Sequence, residues 1–201
     1  KEYRRQRQMC RRDRDRNLES YLKIYNNFLT AEECSEAVNM LEKSSEFQKH
    51  SYSIAYTKEE ISYENDLSVA YHNDSRIKQI IMERLWKNIK DYLHNLDYYW
   101  FDSWNGYSSV RFNRYDVGTE MRDHCDHIHT LFDGERQGVP ILTLLGLLNE
   151  DYEGGSFVMW CDKKIEMKAG DLLIFPSNFL YPHRVDPILK GTRYSYVSWT
   201  W

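Results

Sequence analysis

The sequence lacks the features that define several protein classes. Its four cysteines, Cys10, Cys34, Cys125 and Cys161, are scattered, and no C-x-x-C pair occurs. That disfavours a structural zinc site and a disulfide framework, and it points to a reducing compartment such as the cytoplasm. Long apolar runs are missing as well. The longest, Ile141 to Leu148, has eight residues, whereas a membrane-spanning helix needs ~20. With four prolines and nine glycines there is no Pro/Gly-rich interior break, and no internal repeat or low-complexity linker separates one half from the other. These absences leave a single domain over residues 1–201 as the expectation.

Charge is present but unevenly placed. Residues 1–17 hold eight Lys or Arg against three acids, so a net charge of −4 divides into +5 there and −9 over the rest. A basic leader over 1–20 reads as a solvated tail or helix face, and the acidic remainder argues against a surface that tracks nucleic-acid phosphates. The leader has no apolar core of a secretory signal, and a start at Lys1 in place of Met fits a processed or truncated piece of a longer protein. Aromatic residues are abundant, with 16 Tyr, 6 Trp and 8 Phe. Composition does not divide them between core and binding surface.

Periodicity separates two halves. Thr30 and Glu33 make a capping box ahead of Ala37, Val38 and Leu41. A second helix is predicted from Asn73 or Asp74, with Ile77, Ile80, Ile81, Leu85, Ile89 and Leu93 at helical spacing. Residues 51–72 read as strands and loops, and 21–100 together as a helical support region. Beyond it the period changes: Val110 to Tyr115 alternates, Ile141 to Leu148 is a buried apolar run, and Ser156 to Trp160, Asp171 to Phe175 and Thr192 to Trp201, rich in β-branched or aromatic residues, also read as strands. The expected class is α+β, mainly β: an antiparallel sandwich or jelly roll over 101–201, propped by N-terminal helices on one side.

His124-Cys125-Asp126 is the sharpest local signal. In extended chain, residues i and i+2 share a face, so His124 and Asp126 can converge on one metal ion. The same pattern also suits a surface histidine beside a solvated aspartate. His183, 57 residues after Asp126 and past several strands, can supply a third ligand. Two histidines and one carboxylate form the facial triad of non-haem Fe(II) sites. Arg193 lies ten residues further on, with Ser195 on its face. A fixed guanidinium there suits the far carboxylate of a dicarboxylate.

The order of these residues resembles the Fe(II)/2-oxoglutarate-dependent dioxygenases, nearest the prolyl 4-hydroxylase-like branch. Tyr115, Gly118, Met121, His124 and Asp126 follow that branch's Y-x-x-G-x-x-(aromatic or Met)-x-x-H-x-D pattern. Glu153-Gly154-Gly155 resembles its E-G-G strand opening, and Gly170 to Phe175 its G-D-x-(L/I)-x-F segment. His183 to Pro187 and Gly191 to Trp199 complete five elements in order over residues 109–201.

The resemblance implies a double-stranded β-helix (jelly-roll) core. It implies Fe(II) held by His124, Asp126 and His183, and 2-oxoglutarate held through its C5 carboxylate by Arg193. Tyr115, Ser195 and Thr143 are further candidate contacts to the cosubstrate. The implied reaction couples oxidative decarboxylation of 2-oxoglutarate by O2 to C–H hydroxylation, with ascorbate as a reductant. The first expected substrate is a prolyl residue of a peptide or protein, beneath a lid at Ile128 to Val139. Alternatives are a free amino acid, or a non-enzymatic jelly roll that retains the metal. Asp126 favours hydroxylation over halogenation, and the absence of a second arginine after Arg193 disfavours nucleic-acid substrates.

One departure stands out: residues 144–148 carry no hydroxyl where some relatives place a cosubstrate-binding tyrosine. By strand parity Cys125, His127 and His129 face away from the metal. His50, His72 and His94 have no ligand spacing and read as surface or capping residues. Tyr115 and Tyr181 are the aromatics expected near the mouth, while Trp199 reads as core packing.

Overall fold

In the computed structural model the described residues are 17–53, 59–96, 106–126 and 140–201. The leader before residue 17, His127, His129 and the expected lid at 128–139 lie outside them. A 3-10 turn at Leu18–Tyr21 precedes β1 (Lys23–Tyr25), α1 (Ala31–Glu42), β2 (Gln48–Lys49), β3 (Tyr52–Ser53), β4 (Glu60–Ile61), β5 (Ser68–Ala70) and α2 (Arg76–Leu96). The second half holds β6 (Arg111–Tyr115), β7 (Met121–His124), β8 (Leu142–Leu147), β9 (Glu153–Gly154) and β10 (Phe157–Met159). It ends with β11 (Lys163–Lys164), β12 (Leu172–Pro176), β13 (His183–Val185), β14 (Ile188–Lys190) and β15 (Arg193–Thr200).

Two antiparallel sheets carry the architecture. The major sheet runs β1-β12-β8-β15-β6-β5-β2 and the minor one β11-β10-β13-β7. Because neighbours in the sheets are distant in sequence, the connections cross between them, as a jelly roll requires. The segment predicted as helical support also contributes β1, β2 and β5 to the major sheet. Runs of two or three residues are too short to show a period of two, so the sequence pattern did not separate them from loops.

Both faces of the major sheet are buried, and side-chain parity sorts them. Phe112, Leu142, Leu144, Leu172, Ile174, Tyr194 and Tyr196 share one buried cluster with Ala37 and Leu41 of α1 and Ile77, Ile81, Leu85 and Ile89 of α2. The alternate residues Tyr115, Leu145, Leu173, Phe175 and Val197 turn the other way and meet Phe157, Met159 and Val185 of the minor sheet. Thus β8 and β12 read as continuous apolar runs because each face has its own core.

The helices are joined by one side chain with two tasks. Glu33 accepts from the Thr30 backbone N–H at 2.9 Å and closes the capping box. Both of its carboxylate oxygens also accept from Arg84 of α2, each at 2.7 Å. The Arg84 hydrogen bonds draw the Glu33 carboxyl below its ordinary range. The histidines expected at the surface divide: His94 sits in the last turn of α2, whereas His50 is buried against Tyr52 and His72 packs between Phe47 and Phe112. Their imidazoles fill aromatic clusters that single-residue spacing does not reveal. No described helix is long and apolar enough to cross a membrane.

Gly146 shows how tightly the helix-side core closes on the sheet. It lies opposite Tyr196 in the β8–β15 ladder, and a Cβ added there would overlap the Tyr196 ring. Gly146→Ala should therefore destabilise the fold by about 1–3 kcal/mol. Calorimetry should read this as a fall of about 2–4 °C in Tm for each kcal/mol in a chain of this size. An unchanged Tm would show that the ring has room to move.

Candidate metal and cosubstrate site

The site begins with a strand register. In the minor sheet β13 runs antiparallel to β7, with His183 directly opposite His124. Their rings lie 4.3 Å apart, centroid to centroid. Each imidazole is held by the same local device: Nδ1–H donates to the carbonyl two residues back, Arg122 for His124 at 2.7 Å and Tyr181 for His183 at 3.0 Å. That bond turns each Nε2 inward and, in the neutral ring, assigns the proton to Nδ1, as a ligating imidazole requires.

Asp126 completes the cluster just beyond β7. Its Oδ1 is 3.3 Å from His124 Nε2 and its Oδ2 3.8 Å from His183 Nε2. One ligand atom from each residue falls within a sphere of mutual distances no greater than 4.8 Å. Among the described residues this is the one group of three or more such donors. Burial acts to raise the Asp126 carboxyl pKa, but His183, His124 and Thr143 outweigh it and hold the carboxyl well below its usual range. Burial pushes His183 down to about 4. For His124, burial also acts downward, yet the hydrogen bond it donates to the Asp126 carboxylate overcomes it and the net shift is upward.

Thr143 stands beside the cluster. Its Oγ1 donates to Asp126 Oδ2 at 2.7 Å. Having given its proton to the carboxylate, it must accept from Ser177 Oγ, 2.8 Å away. Both residues are buried, so a two-hydroxyl relay orients the carboxylate from behind. Ser177 was not among the residues singled out from the sequence. Its position directly after β12, opposite the start of β8, is the signal that would have pointed to it.

A small cavity open to solvent fronts the cluster. Its wall includes Tyr115, Thr143, Phe175 and Trp199. Trp199, expected in core packing, is thus on this wall, directly opposite Thr143 in the ladder. Tyr181, expected near the mouth, instead packs on Trp160 and Phe175 and donates its hydroxyl to the Leu18 carbonyl at 3.1 Å. Strand parity alone could not separate the two, because the difference lies in which sheet each residue faces.

Arg193 is 2% exposed. Its guanidinium lies 5.1 Å from the Tyr115 ring centre and donates to Ser195 Oγ at 3.1 Å. Its Nε has no partner among the described residues, and no carboxylate among them pairs with the guanidinium. A buried cation in that condition is poised for an anion. Gly155 makes room for it: at φ +62° its absent Cβ would stand 3.1 Å from Arg193 Cδ. The second glycine of the Glu153-Gly154-Gly155 run therefore has a steric reason. Leu147 lies opposite Ser195, so a hydroxyl stands beside the Arg193 guanidinium on the strand next to the one whose residues 144–148 carry none. The donor set fits a borderline divalent metal beside a dicarboxylate: two imidazoles, one carboxylate and an unpaired arginine. Cys125 has its thiol pKa raised by burial, which disfavours a reactive thiolate.

Residues 110–201 match the family model described as the 2OG-Fe(II) oxygenase superfamily. A PKHD-type hydroxylase of Methylobacterium nodulans is 37% identical over 95 residues, covering 44% of this chain and 41% of the relative. One of Synechococcus elongatus is 35% identical over 96 residues, covering 45% and 42%. The match thus spans about two fifths of these curated relatives. Among solved structures, a Trichoplax adhaerens prolyl hydroxylase in complex with a hypoxia inducible factor peptide fragment superposes with a TM-score of 0.68. It is 21% identical, with 100% of this chain and 93% of that one covered. A Pseudomonas putida prolyl-4-hydroxylase gives 0.65 at 17% identity, with 90% and 91% covered. At such identities the structures speak for the fold, a jelly roll. Residues 110–201, which carry the metal-site geometry described above, are thus similar to the 2OG-Fe(II) oxygenase superfamily, and the curated relatives they match are PKHD-type hydroxylases.

Proposed function

We propose that the protein is an Fe(II)- and 2-oxoglutarate-dependent hydroxylase that acts on prolyl residues of a peptide or protein. The observation that carries this reading is the convergence of His124, Asp126 and His183 within 4.8 Å, in the same inter-sheet core as Tyr115, on which the unpaired Arg193 stacks. His124, Asp126 and His183 would hold the metal, leaving three coordination positions open for cosubstrate and O2. Arg193, with Ser195 and Tyr115, would hold the distal carboxylate of 2-oxoglutarate. The chemistry supplied by bound Fe(II), 2-oxoglutarate and O2 is decarboxylation to succinate and CO2, with one oxygen atom inserted into a substrate C–H bond.

The chain's own residues do the positioning. The two Nδ1–H bonds to backbone carbonyls keep both imidazoles in the ligating tautomer. The low pKa of Asp126 keeps it anionic, so the carboxylate has no proton to lose before metal binds. Thr143 and Ser177 set the carboxylate plane, and the apolar wall of Leu145, Phe157 and Phe175 keeps bulk water away. The helices α1 and α2 serve as a rigid backing for the major sheet, and residues 1–201 act as one catalytic domain. Ascorbate is the proposed reductant that restores Fe(II). A reducing compartment such as the cytoplasm suits the free thiols of Cys34, Cys125 and Cys161. A free amino acid is the alternative substrate, favoured by the cationic side chain considered below.

Anaerobic titration with Fe(II) and 2-oxoglutarate should produce a metal-to-cosubstrate charge-transfer band, and proline-containing peptides should then drive succinate release in air. His124→Ala should abolish both, and wild-type turnover in that variant would overturn the assignment. Thr143→Val removes the hydrogen bond to Asp126 at nearly constant volume. Loss of such a partner should weaken Mn(II) binding by about 10–100-fold, as measured by calorimetric titration. An unchanged Kd would show that Asp126 needs no help to hold its plane.

A further inference from the structure

Arg111 has no task in the chemistry above, yet its side chain lines the same cavity as the metal-site cluster. On β6, parity turns Arg111, Asn113 and Tyr115 inward together. In the β6–β15 ladder they face Val197, Ser195 and Arg193 respectively. Tyr115 and Arg193 therefore mark one end of a row, and Arg111 marks the other, about 13 Å along the strand.

Two contacts fix the Arg111 guanidinium. Its Nε donates to Asn113 Oδ1 at 3.1 Å, and its plane lies 5.1 Å from the Trp199 ring centre. Neither contact neutralises it, because one partner is an amide and the other an aromatic face. Among the described residues no carboxylate comes within ion-pair distance. Burial lowers its pKa from the ordinary arginine value, as expected for a cation that has lost solvent without gaining a counter-ion. Guanidinium remains charged regardless, so the site carries the unfavourable energy of an unpaired cation.

The charge balance of the loaded site sharpens this. A divalent metal and Arg193 together match Asp126 and a dianionic cosubstrate. Arg111 is then the uncompensated charge on the cavity wall, with its fork fixed by stacking on Trp199. We propose that Arg111 anchors a carboxylate on the substrate that is hydroxylated, so that this substrate is an anion: an acidic residue beside the reacting proline of a peptide, or a free amino acid. This rests on the hydroxylase reading for the word substrate. The anion subsite itself rests on the unpaired guanidinium.

Paired probes test it. Proline hexapeptides flanked by Asp or Glu are compared with the same peptides carrying Asn or Gln, and L-proline is compared with L-prolinamide. Binding is measured by calorimetry on the Mn(II) and 2-oxoglutarate complex without O2, and kcat/KM by succinate release. At least one carboxylate probe should be preferred over its amide partner by tenfold or more. Arg111→Gln should reduce that preference to less than twofold, and Arg111→Lys, which keeps the charge but loses the fork, should retain part of it. Peptide and free amino-acid arms tell which source supplies the carboxylate. Equal binding of acid and amide by the wild type, or an undiminished preference in Arg111→Gln, overturns the proposal. Turnover without preference would leave the hydroxylase and remove the anion subsite. Preference without turnover would do the reverse.

Discussion

The alignment of β13 against β7 is the constraint on which the site depends. It places His183 opposite His124, and a strand slipped by one residue would turn every side chain to the other face. The register is set by apolar neighbours in the same strands. Val185 and Met121 are buried in the inter-sheet core, while the charged groups of Arg184 and Asp123 remain on the open side. A shift that exposed Val185 would also bring Arg184 inward, so hydrophobic burial and charge solvation enforce one pairing together. The bulge between His183 and Val185 falls where the ladder must adjust to bring the imidazoles together, a common location for bulges near functional sites.

Electrostatics adds a second layer to this frame. A carboxylate as buried as Asp126 is tolerable because two imidazoles and the Thr143 hydroxyl surround it. The arginines of β6, β15 and α2 are arranged differently. Arg114 and Arg84 have carboxylate partners, whereas Arg111, which faces the cavity, and Arg193, buried against Tyr115, have none among the described residues. The contrast within β6 and β15 is informative because parity alone decides it. Outward-facing Arg114 finds Asp116, and inward-facing Arg111 finds an amide and an indole. The unpaired Arg111 therefore follows the cavity, as expected where a ligand supplies the missing charge.

The helix-side core has a different role. It contains no ionisable cluster, and its density against the sheet is seen at Gly146, where the Tyr196 ring occupies the space of a side chain. Packing of this kind keeps β8 and β15 straight and adjacent. The Trp199–Thr143 and Ser195–Leu147 pairings follow from that adjacency. The major sheet thus has a buried cluster on each face, the inter-sheet one that borders the site and the one it shares with residues of α1 and α2.

Much of this was legible in the sequence, and the physical reason is locality. The i, i+2 spacing of His124 and Asp126, the capping box of Thr30 and Glu33, the α2 apolar stripe, the alternation of β6 and the apolar run of β8 each follow from backbone geometry over a few residues. The order of motifs was sufficient to bring His183 and Arg193 into the same picture. What distant chain segments do to one another was not legible. Ser177 reaches Thr143 only because β12 lies beside β8, Trp199 reaches the cavity only because of its register with Thr143, and Tyr181 faces an aromatic cluster in place of the mouth. His50 and His72 became core residues for the same reason. Sequence by itself determined the local periods, the ligand types and the family pattern; tertiary structure decided which hydroxyl orients the carboxylate and which arginines lack a counter-ion, since both depend on pairings between strands that are far apart along the chain.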